Sequence, residues 1–216
     1  MKLLVINKHL KDNFHSKDLT FYFVKKNDDF SDLEKIIDEY KPNNIISIDF
    51  GIQTNNEIQN GSLIVAKDTI SLNSKPISWS IPREDRWIDT SEDLNKSICD
   101  ILEKLSFEHY VGSGIELENS FNIEKKPNAK DWLKENIKGI YIDSYSSKLN
   151  ELISNKPYNF SILRIMNSSF PIYQNKNNFL DKFVGFFKEL YFYKISAKKI
   201  KKDINERKLI FEISKI

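Results

Sequence analysis

Short, wholly apolar runs alternate with amphipathic segments along this 216-residue chain, and that alternation restricts it to an α/β architecture around a largely parallel sheet. Leu3 to Ile6, Leu19 to Val24, Ile45 to Ile48, Leu63 to Ala66, Thr69 to Leu72, His109 to Ser113, Gly139 to Ile142 and Phe160 to Ile165 read as strands. Apolar runs such as Ile45 to Ile48 are of the type buried on both faces, as parallel strands are. Ser31 to Lys41 reads as a helix, with Ser31 as N-cap, Leu33, Ile36, Ile37 and Tyr40 on one face, and Pro42 as its stop. Thr90 or Ser91 opens a second helix through Leu105. Asn128 to Glu135 and Ser146 to Ile153 read as two more, and Asn178 to Ile195 as a long amphipathic one. Lys75 to Asp89 has no clean period and reads as a loop. A glycine turn is expected at Gly112 and Gly114, and Leu209 to Ile213 looks strand-like.

Composition supplies the core that this pattern needs. Hydrophobic residues make up 40% and aromatic residues 12%, which excludes a disordered chain. Lysine and arginine number 33 against 31 acids, a net charge of only +2, so no nucleic-acid partner is expected. Lysine, asparagine and isoleucine are abundant everywhere, so any one of them carries little information. Cys99 is the single cysteine, on the apolar face of its helix, and reads as a structural thiol. His9, His15 and His109 lack metal-ligand spacing. No segment approaches the ~20 apolar residues of a membrane span, and the N-terminal apolar run is too short for a signal peptide. A cytoplasmic protein with a domain over residues 1–195 and a basic extension over 196–216 is expected.

Three segments carry a resemblance. Asp49-Phe50-Gly51-Ile52-Gln53, then Gly61-Ser62-Leu63-Ile64-Val65, is similar to G-x-A-G-G followed by G-D-L-V-V. Ile140 to Tyr145 is similar to A-x-V-D-M-E, and Leu163 to Ser168 to the strand x-R-x-I-S-D. Taken in order, they resemble the purine nucleoside phosphorylase and nucleosidase superfamily, which includes methylthioadenosine/adenosylhomocysteine nucleosidases and futalosine hydrolases. The resemblance implies a three-layer α/β/α sandwich with a mixed, largely parallel central sheet. It also implies cleavage of a ribosyl N-glycosidic bond in a nucleoside-type ligand, no cofactor beyond phosphate as a co-substrate, and a homodimer. Such cleavage passes through an oxocarbenium-like state. It needs an acid for the departing base, a carboxylate against the ribose, and either a base for water or donors for phosphate.

On the same resemblance, the residues that would perform these steps have been replaced. The leaving-group acid falls on Ser168, which cannot supply a proton near neutral pH. The ribose-binding glutamate falls on Tyr145, a neutral phenol. The water-activating glutamate falls on Asn13, with Asp12 one place early. The glycine pair has become Ile52 and Gln53, which should narrow or fill that side of the pocket, and the aspartate after Gly61 is Ser62. Asp143 matches, with helix capping as its ordinary role. Asp12, Asp49 and Ser168 remain as catalytic candidates, and Gly51, Gln53, Glu116, Phe121, Asp143, Tyr145 and Arg164 as substrate-binding candidates, with Glu118 beside Glu116. Arg164, on an apolar strand, needs Asp143 or a ligand anion as partner. The reading is a diverged nucleosidase or phosphorylase, or else a non-catalytic relative that binds a ligand or partner. Near the C-terminus, Phe179 to Tyr191 is aromatic beyond one helix face and is followed by Lys198, Lys199, Lys201 and Lys202. A dimer contact is expected there rather than a membrane surface.

Overall fold

The computed structural model describes residues 1–10, 18–25, 27–72, 87–117, 129–171 and 179–216. Eight strands, β1 (Lys2–Ile6), β2 (Leu19–Phe23), β3 (Asn44–Gln53), β4 (Leu63–Leu72), β5 (Ile88–Asp89), β6 (His109–Leu117), β7 (Gly139–Asp143) and β8 (Asn159–Met166), form one mixed sheet. Parallel pairing joins β2 to β1, β1 to β3, β3 to β8, β4 to β6 and β6 to β7. Antiparallel pairing joins β8 to the start of β4, the end of β3 to β7, and β4 to β5. The pairings β3–β8–β4–β6–β7–β3 thus close a ring within the sheet.

Helices cover both faces, which is the expected α/β/α layering. Alternation along each strand divides the core. Leu4, Ile6, Ile46, Ile48, Leu163 and Ile165 face α2 (Glu92–Lys104) and the C-terminal helices α6 (Lys198–Glu206) and α7 (Leu209–Ile213). Leu3, Val5, Ile45, Ile162 and Met166 face α1 (Ser31–Tyr40) and α4 (Ser146–Ser154). A short α3 (Ala129–Trp132) runs into a π-helical turn, Leu133–Ile137, and α5 (Phe179–Tyr191) into another, Phe192–Ser196. Among the described residues, no helix is long and apolar enough to cross a membrane.

Several boundaries differ from the sequence reading. Ser31 is the first helical residue of α1; its N–H and hydroxyl are held by Asp29, while Phe30 takes a left-handed conformation. Leu63–Leu72 is one continuous strand with an irregularity between Ala66 and Asp68, and Ile88–Asp89 adds a short strand at its side. Gly112 and Gly114 lie inside β6, where no turn occurs. A Cβ at Gly114 would collide with the Tyr141 ring, and one at Gly112 with Ile140, so both glycines make room for side chains of the neighbouring strand.

Leu209–Ile213 is helical. Its buried residues Leu209, Ile210 and Ile213 follow helical spacing, and five residues are too few to separate that from a strand by pattern alone. These residues join the same core cluster as Ile204 and Phe192. Ile210→Ala is expected to lower the unfolding free energy by about 2–5 kcal/mol in urea titration. A loss of under about 0.5 kcal/mol, the level of a surface substitution, would mean that α7 does not pack on the sheet.

Candidate functional site

The face of the sheet beneath α4 is apolar except for a polar patch. Ser47 and Asp49 share that face of β3 with Ile45, and Arg164 shares that face of β8 with Ile162 and Met166. Register pairs Asp49 directly with Arg164. Arg164 has no exposed surface, so its charge and its donors must be met inside the protein. Its Nε donates to Asp143 Oδ2 at 2.6 Å. One terminal nitrogen donates to Ser47 Oγ at 3.0 Å and to the Leu163 carbonyl at 3.1 Å, and the other to Ser146 Oγ at 3.1 Å. Burial opposes the guanidinium charge, but Tyr145, Asp143, Tyr141 and Asp49 around it outweigh that effect and hold its pKa above the usual arginine value.

Asp143 ends β7 and caps α4. Its Oδ1 accepts the N–H groups of Tyr145 and Ser146 at 3.3 and 3.1 Å, and its Oδ2 accepts the Ser146 hydroxyl. Tyr145 therefore starts α4 with its side chain turned over Arg164, whose Cζ lies 4.9 Å from the ring centroid. The Tyr145 hydroxyl donates to Asp49 Oδ2 at 2.8 Å, a contact between residues 96 apart in sequence. Asn7, at the end of β1, donates to Asp49 Oδ1 at 2.8 Å and to the Tyr193 hydroxyl at 2.8 Å. Tyr193 in turn stacks on His9 with centroids 3.8 Å apart.

Asp49 is only 1% exposed, and burial raises its pKa against the opposing pull of Arg164, the Phe50 N–H, Tyr145 and Asn7. Tyr145 is 7% exposed; burial first, and Asp49 beside it, push the phenol well above its ordinary range. At neutral pH the phenol carries no charge. Asp49, Asp143, Tyr145 and Arg164 thus form one internally satisfied cluster.

The other sequence candidates lie apart from that cluster. Ser168 is exposed. Its N–H donates to Asn60 Oδ1 at 2.8 Å, and Asn60 Nδ2 donates back to its hydroxyl at 3.3 Å. Gln53 Nε2 donates to the same Asn60 oxygen at 3.1 Å. Gly51 lies within β3, where a Cβ would press on Met166 and the Ile142 carbonyl at 3.1 and 3.2 Å; close strand packing is reason enough for glycine. Gly61, at φ +98°, makes the turn before β4, and Ser62 donates to Glu108 at 2.6 Å. Asp12, Asn13, Glu118 and Phe121 fall outside the described residues. A groove of about 540 Å³ lies elsewhere, between Gly61, Phe107, Glu108, the α6 residues Lys199 and Asp203, and Arg207 just after α6.

Glu116, at the end of β6, is fully buried. Its Oε2 accepts the Lys148 N–H at 2.8 Å, and the Lys148 ammonium lies 3.5 Å from Oε1, an oxygen without a hydrogen-bond partner among the described residues. Burial first, and nearby Asp143, push its pKa up to about 7 despite Lys148. Sequence reasoning missed Asn7, Ser47, Ser146 and Asn60. Only Ser47, a lone hydroxyl inside an apolar run, left a signal there.

The raised Glu116 pKa has a sign. Its contribution to stability is full below the ordinary value of 4.5 and is lost as pH rises through about 7. Glu116→Gln is neutral throughout, so its stability relative to wild type should rise by roughly 3 kcal/mol across that window, at about 1.4 kcal/mol per pKa unit. Unfolding measured at both ends of the window checks this, and a pH-independent difference would contradict it.

Comparison of the chain with protein-family models and with curated proteins gives no match. Solved structures do match. Native futalosine hydrolase of Helicobacter pylori strain 26695 superposes with a TM-score of 0.68 at 11% identity, over 99% of this chain and 97% of that one. Helicobacter pylori MTAN, a 5'-methylthioadenosine/S-adenosylhomocysteine nucleosidase, gives 0.66 at 10% identity, over 100% and 99%. The Campylobacter jejuni 5'-methylthioadenosine/S-adenosylhomocysteine nucleosidase gives 0.61 at 15%, over 95% and 99%. Nearly full coverage in both directions, at identities too low to carry function, establishes that this chain has the nucleoside phosphorylase/nucleosidase fold.

Proposed function

We propose that this protein uses the nucleosidase fold as a non-hydrolytic binding scaffold, its reaction centre converted into a structural node. One observation carries the reading: Tyr145 stands at the motif position of the ribose-binding glutamate, and its hydroxyl is committed to buried Asp49 at 2.8 Å. An oxocarbenium-like sugar needs negative charge beside it. A neutral phenol offers none, and the Asp49 carboxylate behind it is engaged by Asn7, Tyr145 and the Phe50 N–H. At the leaving-group end, the Ser168 hydroxyl sits in a hydrogen-bonded pair with Asn60 and cannot deliver a proton. Loss of an acid costs about 10²- to 10⁴-fold and loss of electrostatic stabilisation about 10²- to 10³-fold, without strict additivity. Asp49, Asp143 and Arg164 are at most 1% exposed and Tyr145 only 7%, which leaves a ribose little of this cluster to rest on.

A second reading rests on Glu116. A buried carboxylate with a pKa of about 7, one oxygen of which is met only by the Lys148 ammonium at 3.5 Å, has the properties of a general acid or base. On that reading the protein is a diverged nucleosidase or phosphorylase acting on a ribosyl- or adenosyl-linked substrate, as futalosine hydrolase and the methylthioadenosine/adenosylhomocysteine nucleosidases do.

Purified protein incubated with methylthioadenosine, adenosylhomocysteine, inosine or futalosine, with and without phosphate, separates the two. The scaffold reading expects no free base above the protein-free rate in any mixture. Release of base that disappears in Glu116→Gln would refute that reading and establish the second.

A further inference from the structure

The C-terminal helical segment exposes a set of side chains that the core does not use. Phe186, Phe187, Leu190, Tyr191 and Ile195 are between 37% and 61% exposed, on α5 and the turn that follows it. They recur at helical spacing, so they form one apolar strip, with Phe186 and Phe187 edge to face at 5.8 Å. The segment is nonetheless anchored, because Phe192 within it and Ala197 just beyond it are fully buried in the sheet core. Five large exposed apolar residues within ten positions exceed the scattered surface hydrophobics of an ordinary soluble protein.

Charge decides what can cover this strip. Between Phe186 and Lys202 the chain carries six lysines, at 188, 194, 198, 199, 201 and 202, and one acid, Glu189. That surplus of five positive charges exceeds the net charge of the whole chain, +2. Lys194, Lys198 and Lys199 are exposed, and Lys202 is exposed but paired with Glu206 at 3.5 Å. A second copy packed across a two-fold axis would bring an identical lysine-rich strip against this one. An anionic lipid surface would instead take the aromatic and aliphatic side chains into its headgroup boundary and the ammonium groups onto its phosphates. We infer that α5 and the start of α6 form a peripheral docking surface for anionic membranes, independent of any chemistry at Asp49 and Tyr145. The sequence reading expected a dimer contact at this segment; the local charge points to lipid instead.

Co-sedimentation of the full chain with vesicles tests this, using pure phosphatidylcholine and phosphatidylcholine mixed with phosphatidylglycerol. Binding is expected to the anionic vesicles only, and to weaken as salt is raised. Replacing Lys198 and Lys199 by Gln should weaken it about fivefold each, from about 1 kcal/mol per lysine at the surface. Ile195→Ser should weaken it roughly tenfold or more while leaving the thermal melt unchanged, because Ile195 is 61% exposed. If Ile195→Ser melts early, the lysine variants, at exposed positions, still decide the question. Equal binding to both vesicle types, or none to either, would overturn the inference. So would a concentration-dependent dimer in sedimentation velocity that Ile195→Ser dissociates, since the strip would then be covered by a second copy.

Discussion

Arg164 sits in the middle of β8 with no exposed surface, and a guanidinium that stays charged constrains everything around it. Its charge is met by Asp143, which must lie at the end of β7 to reach it; the same carboxylate caps α4 and so fixes where Tyr145 begins its turn over the arginine. Ser47 and Ser146 take the remaining donors. Tyr145 then reaches Asp49, and Asn7 ties Asp49 to β1 and to Tyr193 of the C-terminal segment. One buried cation therefore connects β1, β3, β7, β8, α4 and the C-terminal segment. Removing one partner from such a network leaves another polar group buried and unmet, which is why the set acts as a unit.

Most of the order of strands and helices was readable from the sequence because apolar runs and amphipathic periods are local signals; Leu209–Ile213, read as strand-like, and Ile88–Asp89, read as loop, were not. The need of Arg164 for a partner was readable for the same reason, a cation on an otherwise apolar strand, and Asp143 was one of its two named partners. What stayed hidden depends on contacts between distant parts of the chain. Asp49 stood among the catalytic candidates, yet β3 continues through Gly51 to Gln53 and buries it. Gly112 and Gly114 looked like a turn because a glycine pair usually marks one, whereas here they yield space to Ile140 and Tyr141 on the adjacent strand. The Tyr145–Asp49 bond spans 96 residues, and nothing in either local sequence announces it. Tyr145 was recognisable as a substitution; that it had acquired a partner was not.

The positions that set strand order and the two-sided core are apolar. Of the positions at which the resemblance places chemistry, Tyr145 is satisfied by Asp49, and Ser168 and Gln53 by Asn60. A phenol and a carboxylate sharing one hydrogen bond can be buried together at little cost, whereas two carboxylates at those places would repel unless one bound a proton. The clustered lysines and exposed rings of the C-terminal segment lie outside this node and are free to serve a separate role.

The structural character of the node is most directly tested by a double-mutant cycle between Asp49→Asn and Tyr145→Phe, with unfolding free energies taken from urea titrations. A coupling of about 1–3 kcal/mol is expected for a buried hydrogen bond to a carboxylate that serves stability. Additive effects, or single variants as stable as wild type, would contradict the node and return Tyr145 and Asp49 to the status of residues kept for a ligand.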